Sequence, residues 1–308
     1  MSAVLPLEGE LTLERAIRRA AAGFDAASLA YAHGTDNAID EASWLILATL
    51  GLSPAVPPDY ARPLSRIERE RCNRRLARRI EERVPTAYLV GRAWFAGHEF
   101  LADERALVPR SPFAEFVAND CFGLLEDVAS PRLLDLCTGG GCIAIAAALA
   151  MPHARVDASD LSPEALSLAR ENVALHGVGE RVSLFEGSLF EPLRGTYDLI
   201  VSNPPYVDAG DIAAMPAEFG HEPALGLAAG RDGLDLVRLI LAGAAERLTP
   251  GGSLVVEVGN SAPAVVETWP EVPFDWLEFA SGGTGVFLIG RETLLEHEDA
   301  FERSLSPQ

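Results

Sequence analysis

Five short apolar runs, RLLDLC, ARVDAS, RVSLFE, YDLIVS and GSLVVEV, constrain the fold more than any other feature of this chain. Stretches with helical spacing, such as SPEALSLARENVALHG and LDLVRLILAGAAERL, separate them. Continuous apolar strands are covered on both faces, and crossover helices make neighbouring strands parallel. From about Ser111 onward the expected fold is therefore α/β, a doubly wound and mostly parallel sheet. FDWLEFASGGTGVFLI reads as two strands around a Gly-rich loop, an antiparallel edge hairpin. The closing RETLLEHEDAFERSLSPQ reads as a charged tail, helical at first and then disordered.

Residues 10 to about 83 read instead as helices. LTLERAIRRAAAGF has helical spacing, and EASWLILATLGL is an apolar helix ended by Gly51 and then Pro54. RIERERCNRRLARRIEERV places Ile67, Cys72, Leu76, Ile80 and Val84 on one stripe, and SPAVPPDYARP is a proline-rich connection. Pro85 ends the helical region, and AYLVGRAWFAGHEFLADERALVPRSP reads as a strand or hairpin connector. The expected divisions are 1–84 helical, 85–110 connector, 111–292 α/β domain and 293–308 tail.

The net charge is -20 and all 25 basic residues are arginine. Without lysine there is no Schiff-base chemistry and no P-loop lysine. So acidic a field repels polyphosphate, counts against non-specific DNA binding and favours a basic partner, although biased composition is the simpler account. Between Arg66 and Arg83 stand eight arginines and four glutamates. The i,i+4 pairs Arg66–Glu70, Glu70–Arg74 and Arg78–Glu82 make a solvated, salt-laced face the main reading, with a patch touching RNA as the sharper alternative. Cys72, Cys121, Cys137 and Cys142 form no C-x-x-C pair, so neither a disulfide framework nor a metal site is expected. The start MSAVLPLEGELTLERA has no signal-peptide pattern, and no apolar run reaches the ~18 residues of a membrane span. A cytoplasmic protein is expected.

Asp135-Leu-Cys137-Thr138-Gly139-Gly140-Gly141 lies between the first apolar run and the helix CIAIAAALA. Glycines let the backbone approach a ligand, and the helix N-terminus offers free N–H groups. Gly139, Gly141 and Ala144 also satisfy the dinucleotide spacing, and Asp160, about 20 residues on, suits the ribose of any nucleoside cofactor. Asp135 tips the choice: it would repel a pyrophosphate and would pair with an amino group.

The turn Ser202-Asn203-Pro204-Pro205-Tyr206 follows the fourth run, where ligands bind in such sheets. The Asn203 side-chain oxygen and the Pro204 carbonyl, fixed in direction by proline, are two acceptors. Tyr206 is a flat plate for stacking. Together they suit an –NH₂ on a planar group.

With these residues the chain resembles the Rossmann-like S-adenosylmethionine-dependent methyltransferases, whose first motif reads D-x-G-x-G-x-G; Cys137 stands where glycine is usual. That resemblance implies a mostly parallel seven-stranded sheet with an antiparallel edge hairpin beside a small helical domain. It implies that Asp135 and the loop Cys137, Thr138, Gly139, Gly140 and Gly141 hold the methionine part and Asp160 the ribose. The turn with Ser188 and Leu189 would border the adenine; many relatives carry an acid at the Ser188 position. Asn-Pro-Pro-Tyr resembles the amino-methyltransferases of bases and of glutamine amides. WFAGHEFLADERALVPRSPFAE, EFGHEPALGLAAGRDGLDLV and VPFDWLEFASGGTGVFLI resemble the protein N(5)-glutamine methyltransferases, in the branch that modifies large-subunit ribosomal protein number three. The family implies an N-terminal substrate-recognition domain, with Asn203, Pro204 and Tyr206 as transfer residues. Pro205, Arg110 and Glu115 would join these against the substrate peptide, a basic ribosomal protein, free or in an assembly intermediate. His98 and His221, in the same segments, are read as packing or surface residues. A release-factor glutamine methyltransferase, a nucleic-acid amino-methyltransferase and a cofactor-binding assembly factor without turnover are the alternatives.

Overall fold

The structure is a computed structural model and describes residues 7–53, 56–227 and 229–305. The expectations for the first six residues, for Pro54 and for the last three therefore lie outside the described residues. The chain divides into two compact units, one made of residues up to Ala93 with Ala102–Glu104 and Pro216–His221, the other of the remainder.

The first unit is helical: α1 (Leu13–Ala26), α2 (Ala38–Leu50), α3 (Arg66–Glu81) and α4 (Thr86–Val90). Local chemistry sets their ends. Thr12 and Asn37 cap α1 and α2, a capping box of Ser65 and Glu68 opens α3, and Gly51 closes α2 in the left-handed conformation. Leu13, Phe24, Leu45, Ile46, Cys72 and Leu76 share its core. Ile67 departs from the expected stripe and is 63% exposed. It lies five residues before Cys72, about 140° around the helix, whereas Cys72, Leu76, Ile80 and Val84 follow at steps of four. Pro85 does not end the helical region but starts α4.

Arg79 crosses this core at 1% exposure, with Nε on Glu41 Oε1 at 2.5 Å, Nη1 on Glu218 Oε1 at 3.2 Å and Nη2 on the Ala30 carbonyl at 2.9 Å. Other arginines of α3 bond to neighbouring segments: Arg71 and Arg75 donate to Thr49, and Arg69 to the Leu64 carbonyl. Arg66–Glu70 and Arg78–Glu82 form two of the three expected surface pairs, and among the described residues Arg74 is not paired with Glu70. Of the α3 arginines, Arg66, Arg78 and Arg79 are paired with carboxylates of the same unit.

The hairpin β1 (Arg92–Phe95) and β2 (His98–Leu101) leads to α5 (Phe113–Ala118) and then to the sheet. Its elements in chain order are β3 (Arg132–Leu136), α6 (Cys142–Ala150), β4 (Arg155–Asp160), α7 (Pro163–His176), β5 (Val182–Glu186) and β6 (Tyr197–Ser202), then α8 (Ala209–Ala214), α9 (Asp235–Ala244) and β7 (Leu248–Glu257), and finally α10 (Ala262–Thr268), β8 (Asp275–Trp276) and β9 (Val286–Gly290). Two helices, α11 (Arg291–Glu296) and α12 (Glu298–Ser304), close the chain. The seven strands run in the order β5-β4-β3-β6-β7-β9-β8, with β8 and β9 antiparallel, as the apolar runs and the edge hairpin led one to expect. The tail is helical at first, as expected, and its last three residues lie outside the described ones. It is helical to Ser304, and Leu294 and Phe301 are buried beside Trp269, because these two apolar residues outweigh the charged ones between them.

The chain runs outward from β3 to β4 and β5, then returns to the other side of β3 with β6 and β7. The switch point between β3 and β6 is where such sheets open a crevice for ligands.

Candidate active site

Strand register assembles the site. Leu136 pairs with Ser159 on β4 and with Ser202 on β6, while Ser202 pairs with Val256 on β7 and Asp160 with Glu186 on β5. The residues that follow, Cys137, Asp160, Gly187, Asn203 and Glu257, therefore stand in a row along one edge of the sheet.

The glycine loop leaves β3 with Cys137, Gly139 and Gly141 all in the left-handed region, at φ of 59°, 55° and 82°. Glycine adopts it freely, whereas cysteine does so at a cost of about 1 kcal/mol, so Cys137 is the strained member. Its thiol is buried, which pushes its pKa well above the ordinary value. A Cβ on Gly141 would meet the Ala169 Cβ at 3.2 Å, so this glycine also serves the close passage of α7. The loop is tied down by Thr138 N on the Ser159 carbonyl at 3.0 Å and by Gly139 N on Asp160 Oδ2 at 2.8 Å.

Asp135, 1% exposed, takes the Thr138 hydroxyl at 2.6 Å and the Ala144 N–H at 3.1 Å, both on Oδ2. Its Oδ1 is buried without a partner. A lone carboxylate oxygen in a dry site is costly, and burial raises the Asp135 pKa to about 7 against the two bonds that lower it. An amino group placed there would remove that cost, which is what the methionine end of S-adenosylmethionine carries. Asp160 accepts the Gly139 and Ser162 N–H groups, one on each oxygen at 2.8 Å, which leaves lone pairs for hydroxyls; burial is the main cause of its raised pKa. The residues present fit the cofactor.

The remaining expected contacts fall as follows. Thr138 is spent on bracing Asp135, and Gly140 offers its carbonyl to Asn172 Nδ2 at 2.9 Å. Ser188 is half-buried in the turn after β5, and Leu189, at a φ of 44°, sends its side chain into the core while its carbonyl accepts from Ser159 Oγ.

Beyond β6 the turn is rigid and mostly covered, with Pro204 and Pro205 buried and Asn203 and Tyr206 half-buried. Among the described residues nothing bonds to the Asn203 side-chain amide or to the Pro204 carbonyl. Tyr206 is held at several points. Its hydroxyl donates to Glu257 Oε1 at 3.1 Å, its carbonyl accepts from Ser261 Oγ at 2.8 Å, and a Cβ on Gly259 would lie 2.6 Å from its ring.

Arg110 and Glu115 are engaged within the protein. Arg110 makes a two-pronged ion pair with Glu222, each bond 2.6 Å, and Glu222 also takes the Val108 N–H. Glu115 accepts from Ala280 N, Ser281 N and Ser281 Oγ, which pins the Gly-rich loop before β9; these bonds hold its carboxyl below the usual range. His221 meets the Glu82 carbonyl and His98 packs beside His176. Sequence reasoning missed Glu257 and Asn172. Asn172, 1% exposed, bonds Leu101 N, Leu101 O and Gly140 O and so joins the hairpin to the glycine loop.

The fold and this row of groups define a Rossmann-like methyltransferase. The model of the family described as methyltransferase small domain matches residues 122–219. The ribosomal protein uL3 glutamine methyltransferase of Neisseria gonorrhoeae is 45% identical over 93% of this chain and 97% of that protein. The enzyme of the same name from Xanthomonas campestris pv. campestris is 47% identical over 91% of this chain and 92% of that protein. The chain belongs to the ribosomal protein uL3 glutamine methyltransferase family.

Proposed function

We propose that this enzyme methylates the side-chain amide nitrogen of a glutamine in ribosomal protein uL3, with S-adenosylmethionine as donor. The observation that carries the reading is the pair of unpartnered acceptors, the Asn203 amide and the Pro204 carbonyl, beside the glycine loop. The two relatives carry the same activity in their names.

When bound, the cofactor supplies an electrophilic methyl on a sulfonium. Asp135 and the loop from Cys137 to Gly141 would hold its methionine end, Asp160 its ribose, and the Ser188–Leu189 turn its base. The chain's own task is to present a poor nucleophile, because an amide nitrogen shares its lone pair with the carbonyl. Asn203 Oδ1 and the Pro204 carbonyl accept the two hydrogens of the –NH₂ group, which fixes the nitrogen and turns its lone pair toward the donor. They also oppose the positive charge that develops on nitrogen. Pro205 makes the turn stiff, and Tyr206 lies flat against the amide. The nitrogen that results is strongly acidic and gives its proton to water. Arg110 and Glu115 act on the peptide indirectly, by fixing the walls around the turn.

An enzyme of net charge -20 attracts a basic ribosomal protein, free or in an assembly intermediate, and the reaction belongs in the cytoplasm. The test is to incubate the enzyme with labelled cofactor and, separately, uL3, release factor and ribosomal RNA, and to map the label by mass spectrometry. One methyl on a uL3 glutamine supports the reading; label on release factor, on RNA or nowhere overturns it.

A further inference from the structure

Glu257 ends β7 at 4% exposure and meets no group assigned to the cofactor. A buried carboxylate is destabilising unless donors surround it, and here two reach it from different parts of the chain. The Tyr206 hydroxyl donates to Oε1 at 3.1 Å, and the Ser111 hydroxyl donates to Oε2 at 2.5 Å. Ser111 Oγ in turn accepts from Phe113 N at 3.1 Å. Beside it, Arg110 is locked to Glu222. The segment carrying Ser111 is thus anchored, and its one hydroxyl is aimed at the carboxylate that holds Tyr206.

We propose that Glu257 is a positioning residue for amide methylation: bonded between Ser111 and Tyr206, it fixes the tyrosine plate against which the substrate amide lies. This rests on the function proposed above. Each Glu257 oxygen already takes one O–H donor, Tyr206 on one and Ser111 on the other, which places the group to hold the tyrosine ring. Gly259 also passes against the ring, so close that a Cβ there would lie 2.6 Å from it. Loss of the hydroxyl bond leaves the ring packed but free to rock, which displaces the amide without touching the glycine loop. Small displacements of a bound nucleophile are costly in turnover and cheap in cofactor affinity.

The test compares Glu257→Gln, Tyr206→Phe, Ser111→Ala and Ser111→Thr, and the double variant of Glu257→Gln with Tyr206→Phe. The readouts are steady-state turnover on uL3 and cofactor affinity. Glu257→Gln, Tyr206→Phe and Ser111→Ala are each expected to lower kcat about tenfold, while cofactor Kd stays within about threefold. Ser111→Thr, which keeps the hydroxyl, restores turnover. The double variant is no slower than Tyr206→Phe alone, since Glu257 acts through the tyrosine. Turnover like the parent's in Glu257→Gln overturns the proposal, and so do multiplying losses or a parallel loss of cofactor binding. A second readout needs no substrate: the Tyr206 ring resonances should shift or broaden in Ser111→Ala and return in Ser111→Thr. Unchanged ring resonances overturn the relay even if uL3 is not the substrate, whereas an inactive parent protein overturns only the proposed function.

Discussion

Leu136 and Ser202 are the last register partners of two adjacent parallel strands, and the Ser202 hydroxyl donates to the Leu136 carbonyl at 3.0 Å. This bond fastens the loop that begins at Cys137 to the turn that begins at Asn203, so the proposed cofactor half and the proposed substrate half of the site share one support. Their side chains nevertheless do separate work. Asn203→Ala removes an acceptor for the substrate amide and none of the groups around Asp135. Turnover should fall by at least ~100-fold, the scale of losing one aligned group in a dry site. Cofactor affinity by calorimetry should stay within about threefold; near-normal turnover would contradict the role given to Asn203.

Asp135 offers a prediction in protons. Burial raises its pKa to about 7 in the free enzyme, while an ammonium group beside its unpartnered Oδ1 requires the ionised form. Cofactor affinity should therefore tighten as pH rises from about 6 through 7. Below that range binding should release protons, visible as a dependence of the calorimetric heat on the buffer's ionisation enthalpy. Asp135→Asn should bind more weakly, without this pH dependence. Equal proton release from parent and variant would refute the assignment.

Much of this was readable from the residues because strand runs and turns are local chemistry. The apolar runs matched β3 through β7, and Pro204-Pro205 at the end of YDLIV read as a turn at the carboxyl end of the sheet. What escaped was set by distant partners. Asn172 looks like an ordinary polar residue of a helix until Leu101 and Gly140 are brought beside it, and Glu257 looks like the polar end of a strand until Tyr206 and Ser111 fold against it. The charged tail read as helical only at first, and its helices run on to Ser304 because Leu294 and Phe301 join a core that the folded sheet supplies. Cys137 shows the reverse: its residue type was plain, while its left-handed backbone was not.

Glu257 and Asp135 also shape stability. Burial raises both to about 7, from ordinary values of 4.5 and 3.8. For a group whose folded pKa exceeds its unfolded one, the folded state binds the extra proton, so its contribution is complete below the unfolded pKa and is lost as pH rises through the folded value. The cofactor-free enzyme should lose stability from about pH 4 to about pH 7 through these two groups, the Asp135 part beginning at the lower pH. Repulsion at net charge -20 acts in the same direction, so the discriminating measurement is the difference between parent and Glu257→Gln. That variant cannot titrate and should show a shallower decline of melting temperature over this range. An identical slope would mean that Glu257 does not change its protonation on folding.

Asn172 carries the last expectation. At 1% exposure its amide accepts from Leu101 N at 2.8 Å and donates to Leu101 O at 3.2 Å and to Gly140 O at 2.9 Å. Asn172→Ala leaves these backbone groups without their partner, and the cost of a buried unsatisfied group puts the loss of stability at about 3 kcal/mol. Asn172→Asp tests the donors separately: it keeps an acceptor for Leu101 N but turns carboxylate oxygens toward the two carbonyls, so it should be no better than alanine. Because Gly140 lies in the loop proposed to hold the cofactor, both variants should also weaken cofactor binding at temperatures where they remain folded. Denaturant unfolding and calorimetry read the two effects independently. A stability loss with unchanged cofactor affinity would confine Asn172 to the hairpin and remove it from the loop's support.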